Sequence, residues 1–429
     1  MKKVYSCGEM LRIKTLPGME DILPEQMVKW QAIERKAREV FLVYGYSEIR
    51  TPLLEDAMLF SQSVGEETDI VKKQMFSFLI GKDKRVCLRP EGTAPVVRAY
   101  LQHSVFRRQG LVKYYYLGAM FRYERPQKGR KRQFYQIGAE AIGSNSPYLD
   151  AEIIYLVNNL LQAVAIDGYQ IRLNSIGCLD CQANYKHLLR DYLRDKKDLL
   201  CPDCQCRAET NLLRILDCKN KQCREIIRSF PPILDYLCAK CKEHFAKVKR
   251  ILTEIGINYV IDAHIVRGLD YYTNTVFEFI HPELGSQNAL AGGGRYNNLI
   301  EQMGGEKQPA VGFSLGMERM MAISRLEPQV LPLHIFFALM GERAYDWGYK
   351  MLAHLRSKGI SSEIDYQNRS LKSQLRKANR LKAKFVVIAG EKELNKGKII
   401  LRDMRKQEQR EINLEKAEAE LCALIPADS

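Results

Sequence analysis

Tyr114-Tyr115-Tyr116-Leu117-Gly118-Ala119-Met120-Phe121-Arg122 and, beyond a short loop, Gln133-Phe134-Tyr135-Gln136-Ile137-Gly138-Ala139-Glu140 are the runs whose reading decides the fold. Both are rich in aromatic and aliphatic residues and read as strands. A connection this short makes the pair antiparallel. The loop from Tyr123 to Arg132 carries Arg125, Lys128, Arg130, Lys131 and Arg132 around Pro126-Gln127 and Gly129. Arginine forks match phosphate oxygens in bidentate fashion, so such a loop suits phosphates; a solvated turn is the other reading. Gln136, Gly138 and Glu140 share one face of the returning strand at a spacing of two. An amide and a carboxylate therefore lie on the side of whatever the loop holds, which favours a ligand.

Working upstream, Leu88-Arg89-Pro90-Glu91-Gly92-Thr93 leads into a helix expected over 94–102. Glu91 and Thr93 at a strand-to-helix turn can bind an ammonium group, and they can equally cap the helix. Before that, Met27, Trp30, Ile33, Ala37, Val40, Phe41 and Tyr44 recur at three and four, which predicts an amphipathic helix from Pro24 to Tyr44. Ser47-Glu48-Ile49-Arg50-Thr51-Pro52 follows as a short strand that its proline confines to an edge or an end. Such an edge is a natural dimer seam.

Downstream, Arg267-Gly268-Leu269-Asp270-Tyr271-Tyr272 precedes the strand Thr275–Phe279. Buried polar groups each need a partner. A tyrosine pair over a strand end, with Arg267 in a surface ion pair, is one reading; a small polar ligand gripped by guanidinium and phenols is the sharper one. Ala291-Gly292-Gly293-Gly294-Arg295-Tyr296 is expected as a glycine turn that brings backbone close to that ligand. Ala310–Met320 reads as a strand entering a helix, with Arg319 in its first turn against the helix dipole. An anionic or aromatic ligand accounts for that placement better than structure alone.

The 429 residues allow two to four domains, and the formal charge of +15 suits a polyanionic partner without requiring one. No apolar run of about 18 residues appears, which argues against a membrane span. The basic start lacks an apolar segment after it, so no secretory signal is expected and the location is expected to be cytoplasmic, with reduced thiols. The 12 cysteines are then no disulfide framework. Cys201-x2-Cys204 with Cys218-x4-Cys223 has the spacing of a thiolate zinc site. Cys178-x2-Cys181 and Cys238-x2-Cys241 bracket it and offer a second zinc that closes the insertion at its base. Small buried thiols are the alternative. Cys206 stands outside both sets.

Beyond Pro328 and Pro332, strands expected at 333–339, 362–366 and 385–389 alternate with helices at 344–357 and 371–381, ahead of a final strand and helix. That is a small α/β domain. The middle helix has a stripe of Leu371, Leu375, Ala378 and Leu381 among basic residues, read as a solvated face or an RNA-facing one.

Taken together, these blocks resemble the bacterial-type histidyl-tRNA synthetases, a family of class II aminoacyl-tRNA synthetases, over almost the whole chain. The three loose class II motifs are the helix and strand ending at Thr51-Pro52, Phe121–Arg125 with its basic loop, and Gly312–Arg319. The tighter blocks are Arg267–Tyr272 and Gly293–Tyr296. The resemblance implies an α+β fold: an antiparallel-sheet catalytic domain (1–170 and 246–327) interrupted by a cysteine-rich insertion (171–245), then an α/β anticodon-binding domain (328–429), in a homodimer. It implies L-histidine, ATP with Mg²⁺, and tRNA(His) as partners.

By the same resemblance, Glu91, Gly92, Thr93 and Gln136 hold histidine's α-amino end, and Glu140 and Tyr272 meet its imidazole, with Tyr271, Tyr296 and Arg267 alongside. Arg122, Glu124, Arg130 and Arg319 bind ATP, and Arg267 and Arg122 are catalytic. Gln127 and Arg132 approach the tRNA acceptor stem. A catalytically inactive relative, the regulatory subunit of ATP phosphoribosyltransferase, is the main rival, and a zinc-dependent RNA-binding protein a more distant one.

Overall fold

The computed structural model describes residues 13–65, 68, 70–125, 130–328 and 333–424. The chain forms two compact units, residues 1–328 and 329–429. In the first, the expected hairpin supplies the second and third strands of an eight-stranded sheet. Val112–Phe121 pairs antiparallel with Gln133–Ile142, setting Gly118 opposite Gln136 and Tyr114 opposite Glu140. Outward from Gln133–Ile142 come Ala310–Gly316, Ala289–Arg295, Thr273–Ile280 and Gln170–Ser175, all antiparallel. Only the edge strands, Ser47–Glu48 and Val260–Ile261, run parallel to their neighbours.

The tyrosine triplet shows how alternation sorts the two faces. Tyr115 packs with the helical layer, where Phe41 stacks on it at 4.3 Å, and Tyr116 turns to the opposite face. That layer consists of Pro24–Val43, Pro147–Ala163 and Ala239–Glu254. Pro24–Val43 buries Trp30, Ile33, Ala37 and Phe41, the expected stripe. Each large apolar side chain so buried contributes about 1.5–3 kcal/mol.

Two expectations change. Ala289–Arg295 is a strand, not a turn, because its glycines are flanked by closely packed neighbours on both sides of the sheet. The boundary expected at 170/171 falls inside the strand Gln170–Ser175, so the insertion leaves the sheet only after Ser175. Arg295, in the glycine-rich block, does not line the cleft described below. Its fully buried guanidinium grips the equally buried Asp150 and also donates to the carbonyls of Ser144 (2.9 Å) and Ser146 (3.1 Å). His244 lies 3.4 Å from the same carboxylate. Burial opposes the Asp150 charge, yet Arg295 and His244 hold its carboxyl below the usual range.

In the second unit, Ile335–Met340, Ser362–Ile364 and Phe385–Gly390 are parallel, and Lys398–Asp403 and Gln409–Asn413 add an antiparallel hairpin. That hairpin replaces the single final strand expected. Apolar clusters cover both sheet faces. In the helix Leu371–Arg380, Leu381 lies past the end and is 39% exposed. Its place in the stripe goes to the fully buried Gln374, whose amide bonds the Leu339 backbone twice (3.0 and 2.7 Å). Arg369 and Lys377 are drawn to Asp365, while Lys372, Arg376 and Arg380 face out.

Candidate active site and thiolate centres

On the sheet face opposite the helical layer, one cleft is lined by Glu91, Thr93, Arg122, Glu124, Arg130, Gln136, Arg267, Tyr271, Tyr272 and Arg319. These residues come from both hairpin strands, the turn at 89–93, the segment before Thr273 and the start of the helix Met317–Ile323. Most of the expected site is thus brought to one place.

Glu91 does two jobs. Its carboxylate accepts from the backbone N–H of Thr93 (2.7 Å) and of Ala94 (2.8 Å), capping the helix Thr93–Gln102, and it also lines the cleft. Burial pushes its carboxyl up, against the pull of those two N–H groups and of Arg122. Glu140 sits behind the wall. It accepts from Thr93 Oγ1 (2.7 Å), Tyr296 Oη (2.5 Å) and Tyr116 Oη (3.4 Å), and burial still raises its carboxyl to about 8. Glu140 does not itself line the cleft, but Thr93, which donates to it, does.

Gly92 corrects another expectation, since it stands off the cleft. A side chain there would meet the Tyr116 ring at 2.2 Å, and one at Gly138 would meet the same ring at 2.4 Å. Both glycines exist to admit Tyr116, whose hydroxyl reaches Glu140 between them.

The cationic wall is held by backbone and carboxylate contacts. Arg122 Nε donates to the Pro90 carbonyl at 2.8 Å and its guanidinium lies 5.3 Å from the Phe134 ring centre. Arg319 donates to the Ala289 carbonyl, and Arg130 pairs with Glu124 at 3.2 Å. Arg267 pairs with Glu278, the cleft carboxylate that the sequence reading missed. No motif flagged Glu278, because it is one of several alternating residues in an ordinary strand. A side chain at Gly292 would meet the Arg267 guanidinium at 2.3–2.6 Å, so the glycine makes space for that arginine rather than for ligand backbone. Among the described residues, buried Gln136 Oε1 and Arg267 Nε have no hydrogen-bond partner, and Tyr271 Oη approaches Thr93 and Tyr272 without a directed bond. Three polar atoms free on one cleft wall are capacity for a polar ligand. Arg132 turns from the cleft, stacking over Tyr123 at 4.2 Å and donating to the Glu124 carbonyl at 3.2 Å. Gln127 lies outside the described residues.

The cysteines gather in the two expected sets, Cys178, Cys181, Cys238, Cys241 and Cys201, Cys204, Cys218, Cys223, with the sulfurs of each within 4.8 Å of one another. A tetrahedron of ~2.3 Å metal–sulfur bonds separates its sulfurs by about 3.8 Å. Cys178–Cys181 is 3.5 Å and Cys201–Cys218 is 3.8 Å. Backbone N–H groups point at sulfur: Cys238 to Cys181 and Cys201 to Cys223, both at 3.2 Å. Among the described residues all cysteines are free thiols, and Cys206 is exposed and apart. The N–H of Cys241 leads in lowering the Cys238 thiol to about 7, while burial raises Cys204 and Cys241. Neutral thiols crowded this closely gain nothing from N–H donors aimed at them; thiolates around a soft cation do. The residues fit a metal.

Among known proteins, the family model described as Histidyl-tRNA synthetase matches residues 18–320, and that described as Anticodon binding domain matches 330–424. The histidine–tRNA ligase of Halothermothrix orenii is 46% identical over 417 residues, 96% of this chain and 100% of the relative. That of Thermodesulfovibrio yellowstonii is 46% identical over 406 residues, 94% and 97% of the two chains. The crystal structure of apo S. aureus histidyl-tRNA synthetase has a TM-score of 0.80 at 35% identity, over 96% of this chain and 100% of that one. A Bacillus halodurans structure described as an ATP phosphoribosyltransferase regulatory subunit/histidyl-tRNA synthetase reaches 0.64 at 19% identity over 90% and 99% of the two chains, a likeness of fold. Sheet, cleft and matching relatives define a class II aminoacyl-tRNA synthetase. Within that class, the chain belongs to the histidyl-tRNA synthetase family.

Proposed function

We propose that this chain activates L-histidine with ATP and transfers the histidyl group to tRNA(His). The observation that carries the reading is one cleft in which Arg122, Arg267 and Arg319 face Glu91, Gln136, Tyr271 and Tyr272. Histidine's carboxylate is already ionised at neutral pH and needs no general base. Its oxygen attacks the α-phosphorus, the bond to the bridging oxygen breaks, and pyrophosphate leaves. The obstacle is an anion approaching a polyanion, so catalysis is in-line placement plus neutralisation by the three guanidinium groups. Arg267, fixed by Glu278 and the space at Gly292, lies by the α-phosphate. Arg122, Arg319 and the Arg130–Glu124 pair take the outer phosphates, where Glu124 and Glu278 offer hard oxygen ligands for the Mg²⁺ that accompanies ATP. The terminal ribose hydroxyl of tRNA then attacks the histidyl carbonyl carbon and AMP departs. Selectivity is polar: Glu91 and Gln136 take the ammonium, and Tyr272 with the Glu140 network takes the imidazole. An apolar analogue leaves these groups unpaired, which rejects it by ~10⁴-fold or more.

The unit matched by the anticodon-binding family reads the tRNA, and the basic hairpin loop with Gln127 and Arg132 approaches the acceptor stem. Two chains associate through the sheet edge at Ser47–Glu48, the seam the sequence suggests, with the exposed apolar residues Phe78, Leu79 and Ile80 of the strand Ser77–Ile80 as further contact surface. Each thiolate set holds a structural zinc, which supplies folding free energy to the insertion and takes no part in the reaction. Free thiols and the tRNA substrate fit a cytoplasmic location.

One assay tests the reading: charging of bulk tRNA with labelled histidine and ATP. Histidine-dependent charging is expected. Histidine binding without charging, and without exchange of pyrophosphate into ATP, returns the chain to the regulatory-subunit alternative. Metal analysis of protein purified without added metal is expected to give about two equivalents of zinc per chain, and Cys201→Ser about one. Less than about half an equivalent in the parent chain overturns the zinc assignment.

A further inference from the structure

The base thiolate set is wired to the histidine wall through a few residues of backbone. Next to Cys181, the buried Gln182 donates its amide to the Tyr272 carbonyl (3.1 Å) and to the Gly177 carbonyl (3.4 Å). Two residues beyond Tyr272, Asn274 donates its backbone N–H to Gly177 (2.8 Å), accepts from Ile176 (2.8 Å), and aims its side-chain amide at Cys241 Sγ (3.6 Å). Asn274 holds φ 49°, a left-handed conformation that asparagine tolerates better than most residues. The pairing there is bulged: Thr273 faces Arg295 while Val276 already faces Gly294. Bulges re-aim side chains beside active sites, and this one follows directly on Tyr271 and Tyr272. Gly177 has φ 68°, and a side chain on it would strike Cys181 Cβ at 2.5 Å and Leu237 at 2.9 Å.

We propose that Gln182 and Asn274 are positioning residues through which the Cys178–Cys181–Cys238–Cys241 centre sets the backbone of Tyr272–Asn274, so that an occupied centre is required for tight histidine binding and not for ATP binding. The inference rests on the reading of the cleft and of the thiolate sets given above. ATP affinity is spared because Arg122 and Glu124 follow the strand Val112–Phe121 and Arg319 stands on the helix Met317–Ile323, while Glu278, which holds Arg267, lies four residues beyond Asn274 on the regular part of the strand. The bulge gives the coupling its direction. Without a fixed sulfur at Cys241, the Asn274 amide loses its anchor, the left-handed turn relaxes, and the two phenol rings lose their shared orientation.

The test uses the full chain with its metal and measures histidine and ATP dissociation constants separately by equilibrium dialysis, with metal content on the same samples. Asn274→Gly keeps the left-handed backbone accessible while removing the whole side chain with its amide; Gln182→Met keeps the volume. Each is expected to weaken histidine about tenfold or more, with ATP within about twofold and the metal count unchanged. Cys238→Ser, at the exposed ligand, is expected to lose one metal equivalent and to show the same selective weakening. Unchanged histidine affinity in the first two variants overturns the proposal, as does equal weakening of both ligands. A metal-free parent chain removes the metal clause, and a parent chain without histidine-dependent exchange removes the reading of the cleft. Those two failures are separately visible.

Discussion

Gly292→Ala offers the sharpest probe of the cleft, because it adds one carbon at a known place. The new Cβ would lie 2.3, 2.5 and 2.6 Å from three atoms of the Arg267 guanidinium, closer than any stable contact. The backbone tolerates alanine, since Gly292 lies in a strand without positive φ, so the arginine must swing away and break its pair with Glu278. Folding free energy is expected to fall by about 1–2 kcal/mol. A Gly→Ala gain of ~0.4–1 kcal/mol from the unfolded chain offsets part of a charged hydrogen bond worth ~1.5–3 kcal/mol. Chemistry is expected to suffer far more. Removing one preorganised donor from a developing charge costs ~10²–10³ in rate, about 2.7–4 kcal/mol. The assay is histidine-dependent pyrophosphate–ATP exchange, with urea unfolding alongside and Gly110→Ala, where a side chain meets open space, as control. Exchange within about threefold of the parent, less than 1 kcal/mol, would show that Arg267 does not act on the reacting phosphate.

Glu140→Gln should change how stability depends on pH. The folded carboxyl titrates near 8 and the unfolded one near 4.3, so between these values the unfolded chain gives up its proton first and is favoured as pH rises. The parent should lose stability across that window by at most about 1.4 kcal/mol per pH unit, and the variant should lack this component; parallel urea midpoints from pH 5 to 8 would refute it. Arg295→Met strands the buried Asp150 carboxylate and should cost ~3–5 kcal/mol in urea unfolding, with Asp150→Leu added to it restoring much of the loss. If the double variant is no better than the single one, the pair is not the source of the cost.

What could be read before folding depended on whether a residue's role was local. The hairpin strands, the helix Pro24–Val43 and the pairing of cysteines into two sets all follow from periodicity or spacing over a few tens of residues, and the structure keeps them. The glycine-rich block carried a misleading local signal. Glycines at 292–294 suggest a turn, yet in the strand they accommodate Arg267, Phe277 and the neighbouring backbone, which no local rule foresees. The same applies at Gly92, whose partner ring comes from Tyr116. Glu278 and Gln374 escaped notice because each looks like a surface residue until the element facing it is known. Arg295 was read only as part of the glycine block, and the fold alone reveals that it turns toward Asp150.

That ion pair also bears on biosynthesis. Asp150 and Arg295 are 145 residues apart, with the whole thiolate-bearing insertion between them. At roughly 5–20 residues per second, a ribosome needs about 7–29 s to deliver the second partner after the first. Until then the helix carrying Asp150 docks only with its carboxyl protonated or, once His244 has been made, held by that one imidazole. The packing of the amino-terminal half is therefore completed late, when the arginine emerges.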